Sequence, residues 1–104
     1  MAVIGVFVGA GVTSLLAGLI TAENTTFIEP SLHVNDGEIL GLFVTNKDSF
    51  GYSFDIDSLD VDVQLPSNSP TAVAIKPTGP GNIEFFCNVP GHLDAGMVGT
   101  IDVG

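Results

Sequence analysis

The hydrophobic positions of this chain fall into two regimes. Before Glu23 no side chain is charged, and the opening stretch MAVIGVFVGAGVTSLLAGLITA is apolar but for Thr13, Ser14 and Thr21 and rich in glycine, with Gly5, Gly9, Gly11 and Gly18. Such a length approaches that of a bilayer span. Residues 1–18 are expected to be an apolar membrane anchor or a truncated hydrophobic segment. A signal peptide and an ordinary extra strand are the alternatives, although no basic residue opens the segment and no clear small-x-small cleavage site follows it. From Leu19 onward the pattern becomes that of short strands. LITAENTTF is rich in Thr, Ile and Phe and stops at Pro30. SLHV is followed by Asn35-Asp36-Gly37, the strongest hairpin punctuation in the chain. EILGLFVTN is apolar on both faces, as a central strand would be. YSFDI and TAVAIK alternate, NIEFF runs into Cys87, and VGTIDV closes the chain. About seven short strands with closely spaced turn signals predict an all-β sandwich or barrel over residues 19–104. No stretch after Leu19 carries helical periodicity.

Composition narrows the function classes. The chain has 104 residues, enough for one domain. Two lysines, no arginine and twelve acids leave a net charge of −10. Nothing here would neutralise phosphates, so nucleic acid is excluded as a partner, and anionic lipid surfaces are disfavoured. A partner met through electrostatics would carry a basic patch, and adaptation to high salt is the alternative meaning of the charge. One cysteine rules out an internal disulfide.

That cysteine opens the informative stretch, FFCNVPGHLDAGMVGTIDV, spanning Phe85 to Val103. The spacing is Cys87-x4-His92-x4-Met97. A thiolate, an imidazole and a thioether together suit copper: a cysteine and imidazoles in a trigonal plane, with a weak axial methionine. Pro90-Gly91 and Gly96 allow a short loop to turn back so that the three donors converge. Zinc would call for more nitrogen or sulfur donors and no thioether. A cysteine nucleophile would need a third residue to orient His92 and gives Met97 no role, so the chain is not expected to be an enzyme.

The stretch resembles the C-terminal ligand loop of cupredoxins, the blue-copper proteins, especially the small prokaryotic kind with a Cys-x4-His-x4-Met loop. SLHVNDGEILGLFVTNKD and SFDIDSLDVDVQLPSNSPTAVAIKPTGPGNIEFFC are similar to the segments that precede that loop in the family. The resemblance implies a Greek-key β-sandwich, a mononuclear type 1-like copper and one-electron transfer with a redox partner protein. It implies Cys87 as thiolate donor and electron port, His92 as equatorial imidazole with an exposed edge, and Met97 as weak axial ligand.

One ligand departs from the pattern. The family supplies its first histidine from a segment of the form N-x-D-x-x-x-H-S-F, and here that position is Tyr52 within NKDSFGYSF. Three readings follow. Tyr52 ligates as a phenolate, against an ordinary pKa of about 10. Copper sits on Cys87, His92 and Met97 alone, a set suited to Cu(I). Or the site is degenerate and copper-free, with Tyr52 filling the space of an imidazole. The expected function is therefore a copper-binding domain performing one-electron transfer; a Cu(I)-carrying module without redox cycling and a copper-free interaction domain are the alternatives. The expected location is extracytoplasmic, periplasmic or at the cell surface, with membrane contact through residues 1–18.

Other residues read more plainly. His33 lies between Leu32 and Val34, so alternation turns it outward. Asp55, Asp57, Asp60 and Asp62 lack the glycine and distal glutamate of a calcium loop and read as a solvated face. Of Phe85 and Phe86 one should face the core. Asn46 is placed to tie loops together. Asn24-Thr25-Thr26 is a glycosylation triplet of low specificity.

Overall fold

The computed structural model describes residues 15–104. Among the described residues there are nine strands, β1 (Leu15–Glu23), β2 (Thr26–Phe27), β3 (Ser31–Val34), β4 (Ile39–Asn46), β5 (Tyr52–Ile56), β6 (Val61–Leu65), β7 (Ser69–Ile75), β8 (Gly81–Phe86) and β9 (Val98–Val103), and one 3-10 turn at Asp57–Leu59. They form two sheets, one of four strands in the order β2-β1-β4-β7 and one of five in the order β3-β9-β8-β5-β6. The architecture is a sandwich; the sheets do not close into a barrel.

β1 begins at Leu15, so the first strand includes residues 15–18, which the apolar pattern had joined to an anchor. It runs parallel to β4 from Leu15↔Ile39 to Ala22↔Asn46. The anchor expectation for residues 1–14 lies outside the described residues. Among the described residues no helix is long and apolar enough to cross a membrane.

Alternation decides what each strand buries. β4, central in its sheet, turns Leu40, Leu42 and Val44 inward. The five-stranded sheet answers with Phe54, Ile56, Phe85 and Ile101, and all seven are at most 1% exposed. Side chains of this kind contribute about 1.5–3 kcal/mol each on full burial. Phe27, Phe54 and Phe85 form an aromatic knot, with centroid separations of 5.1 Å (Phe27–Phe85), 5.2 Å (Phe54–Phe85) and 6.1 Å (Phe27–Phe54). Gly99 on β9 makes room for it: a Cβ there would lie 2.2 Å from Phe85 Cζ and 2.7 Å from Pro30 O.

Two turns differ from expectation. Asn35-Asp36-Gly37 joins β3 in one sheet to β4 in the other, so it carries the chain across the sandwich and closes no hairpin. The hairpin lies earlier, between β1 and β2, where Asn24 and Thr25 both adopt φ of 55°. LITAENTTF is thus two strands. A β-branched residue in the left-handed region is costly, so tertiary contacts must hold Thr25 there.

Candidate metal centre

The β8–β9 loop starts at Cys87 and ends at Met97. Its ends are tied where Phe86 pairs with Val98 and where Cys87 N–H donates to Met97 O at 3.2 Å. Inside the loop, His92 N–H donates to Val89 O at 3.0 Å and Met97 N–H to His92 O at 3.0 Å. Gly91 and Gly96 sit at φ of 85° and 95°, conformations glycine adopts at little cost. The glycines flagged by the sequence pattern are therefore the ones that let the loop fold back. Cys87 and Met97 are fully buried and His92 is half-buried.

Cys87 Sγ lies 3.5 Å from His92 Nδ1. One metal ion can bridge that gap: bonds of roughly 2.3 Å to sulfur and 2.0 Å to nitrogen would meet at about 110°. The sulfur is also placed as an acceptor. Ser53 N–H points at it at 3.4 Å and Ser53 Oγ donates to it at 3.7 Å. Two donors so placed would support a metal-bound sulfur at this position. The donor set therefore fits copper in softness and in the Cys87–His92 separation. Among the described residues no three His, Cys, Asp or Glu side chains converge as a metal cluster.

Tyr52, first residue of β5, stands beside this constellation with its ring centroid 5.4 Å from that of His92 and 5.0 Å from that of Phe50. Its hydroxyl is engaged elsewhere. It donates to Asp48 Oδ2 and accepts from Thr25 N–H at 2.9 Å. Burial pushes the phenol pKa above its ordinary value and the Asp48 hydrogen bond adds to this, while the Thr25 hydrogen bond opposes it. Asp48 Oδ2 also accepts from Asn24 N–H at 2.9 Å. Tyr52 and Asp48 thus hold the left-handed β1–β2 turn, and Thr25 is kept in its costly conformation by this network.

Asn46 ties the loop before Tyr52 to β6. Its Nδ2 donates to Phe50 O at 2.8 Å and to Leu65 O at 3.0 Å, and its Oδ1 accepts from Asp48 N–H at 2.8 Å. Phe85 faces the core and Phe86 is half-buried on the opposite face. His33 is exposed, bonded to Asp102 at 3.1 Å and Asn35 at 3.2 Å. The acidic run is not uniformly solvated. Asp57, Asp60 and Asp62 are exposed, but Asp55 is only 5% exposed, because β5 is covered on both faces. Ser53 and Asn88 were not singled out by the sequence pattern, and Asp55 was expected on a solvated face. Only the proximity of Ser53 to Tyr52 hinted at a role, since pairing across strands cannot be read from short polar side chains.

Structural relatives share this architecture at low sequence identity. Auracyanin A, described as a "blue" copper protein from Chloroflexus aurantiacus, superposes with a TM-score of 0.75 at 14% identity, covering 88% of this chain and 100% of that one. Rusticyanin from Thiobacillus ferrooxidans gives 0.71 at 21% identity, covering 89% and 79%. The metal-binding domain of the Cu(I)-exporting P-type ATPase CopA of Streptococcus pneumoniae D39, solved with Cu(I), gives 0.73 at 12% identity, covering 88% and 87%. No curated protein matches significantly in sequence. The family model described as a cupredoxin-like domain matches residues 16–101, and the chain belongs to that family.

Proposed function

We propose that this domain binds one copper ion through Cys87, His92 and Met97 and holds it chiefly as Cu(I). The observation that carries this reading is the Tyr52 hydroxyl, committed to Asp48 and Thr25 at the position where the family pattern has an imidazole. Three donors remain, two of them sulfur, and soft sulfur ligands select Cu(I). Cu(II) would lack its second equatorial nitrogen. Bound copper would supply a soft Lewis-acid centre able to change oxidation state. The chain's own contribution is to keep Cys87 as a hydrogen-bonded acceptor, to bury both sulfur ligands and to fix His92 by the turn hydrogen bonds of the loop. The relative solved with Cu(I) supports the reading by shared fold alone.

One-electron transfer is the second reading, favoured by the half-buried His92, which shares the Tyr52 ring with Phe50 and precedes Leu93 in the loop. Phe50 is 49% and Leu93 45% exposed, an apolar rim on which a redox partner could seat. The net charge of −10 would steer a basic partner to it. We place the domain outside the cytoplasm, tethered by the apolar residues before β1.

An anaerobic Cu(I) competition against a chromophoric chelator, with Cys87→Ser beside wild type, tests the main reading. One equivalent of tightly held Cu(I), lost in the serine variant, is expected. No withdrawal of Cu(I) by wild type refutes it. A titration with Cu(II) separates the second reading: an intense thiolate-to-copper band that persists through redox cycles belongs to an electron carrier.

A further inference from the structure

Asp55 is an anomaly of the outer face of the five-stranded sheet. It is 5% exposed, and its Oδ1 is buried with no hydrogen-bond partner. Directly opposite it on β6 stands another carboxylate, Asp62, and opposite it on β8 stands Phe86. A half-satisfied buried carboxylate facing a like charge opposes folding, so its presence calls for a reason other than stability. Its other oxygen shows one. Asp55 Oδ2 accepts from Asn88 Nδ2 at 2.7 Å. Asn88 follows Cys87 directly, and its N–H donates to Ser53 Oγ at 2.8 Å. Ser53 in turn directs its N–H and Oγ–H at Cys87 Sγ, at 3.4 Å and 3.7 Å. Because Ser53 Oγ accepts from Asn88, its own proton is left to point at the sulfur.

We propose that Asp55 is a positioning residue for the metal thiolate: by pinning the Asn88 side chain it fixes the exit of the chain from Cys87 and, through Ser53, the hydrogen bonds that hold Sγ as an acceptor. The role as a metal aid rests on the copper reading above, but the relay itself is a property of the metal-free protein. Asp55 hydrogen-bonds to neither Cys87 nor His92 and acts through Asn88 and Ser53.

The test uses the full chain, metal-free, as wild type, Asp55→Leu and Asp55→Asn. Three quantities are read: the limiting, pH-independent rate of Cys87 alkylation by iodoacetamide on the alkaline plateau, where lost hydrogen bonds to the sulfur raise its nucleophilicity, the thermal midpoint, and Cu(I) affinity by competition. Asp55→Leu removes the acceptor and the charge at similar volume. It should speed alkylation about tenfold, the scale of one lost hydrogen bond, without lowering the midpoint. Asp55→Asn keeps an acceptor oxygen and should return the rate to near that of wild type. Cu(I) affinity should fall in Asp55→Leu and recover in Asp55→Asn. A merely structural carboxylate would instead lower the midpoint and leave Asp55→Asn as impaired as Asp55→Leu. An alkylation rate in Asp55→Leu within twofold of wild type overturns the proposal. Should Asp55→Leu fail to fold, Asn88→Ala cuts the same hydrogen bond from its exposed side and must give the same acceleration; an unchanged rate there also overturns it. If wild type binds no Cu(I), the copper reading fails while the alkylation series still decides the relay.

Discussion

Replacing Tyr52 by phenylalanine separates the structural role of its hydroxyl from a ligand role. The ring stays, so its packing against His92 and Phe50 is retained. What disappears is the hydroxyl shared between Asp48 and Thr25. Asp48 keeps the Asn24 N–H. Thr25 N–H loses its acceptor, in a residue already held at φ of 55°. One to two lost hydrogen bonds in a half-buried setting cost about 1–2 kcal/mol. In a domain of this size that is a fall in thermal midpoint of about 5–10 °C. Cu(I) affinity, read by chelator competition, should stay within about threefold of wild type, because a group that does not touch the ion contributes little to its binding energy. Calorimetry and the competition assay on the same preparation are sufficient. A large loss of copper affinity with an unchanged midpoint would refute the reasoning, since it would make the phenol oxygen a ligand and its hydrogen bonds incidental.

Other outcomes follow from the same structure. Gly99→Ala sets a Cβ 2.2 Å from Phe85 Cζ and 2.7 Å from Pro30 O, with a fully buried ring and a backbone oxygen to displace; a loss of about 3 kcal/mol or more is expected, read by urea denaturation. Burial, with smaller contributions from Asp62 and Asp57, pushes the Asp55 carboxyl above its ordinary pKa, against the hydrogen bond from Asn88. The native state then binds this proton more tightly than the unfolded chain, and stability falls as pH rises from the ordinary Asp range through the native value. Asp55→Asn should therefore be the more stable protein at pH 7, with the gain vanishing once pH drops below that range, as denaturation curves across pH would show. Excess Cu(I) should raise the thermal midpoint of wild type, by about 2.7 kcal/mol of added stability at a hundredfold excess over Kd, and leave Cys87→Ser unmoved.

Much of the fold was legible because burial enforces alternation. EILGLFVTN, apolar on both faces, is the central strand β4, and His33 between two apolar neighbours does turn outward. The Asn35-Asp36-Gly37 signal marked a turn but not its destination, since a turn motif specifies local backbone and not which sheet receives the next strand. The β1–β2 hairpin escaped notice because Thr25 occupies a position where glycine is the usual signal, and only the long-range contacts from Asp48 and Tyr52 stabilise it there. The reversal of the Cys87–Met97 loop was legible from Gly91 and Gly96, because a loop this short must turn back at its glycines. The burial of Asp55 and the Asn88–Ser53 relay could not be read in advance, because period two assigns a face and not whether that face is covered.

The central claim is a three-donor copper site that excludes the Tyr52 oxygen. X-ray absorption at the copper edge of the Cu(I)-loaded full chain tests it most directly. The expected first shell is two sulfur atoms and one nitrogen, unchanged in Tyr52→Phe and reduced by one sulfur in Met97→Leu. A shell containing an oxygen donor that vanishes in Tyr52→Phe, or one without sulfur, would contradict it.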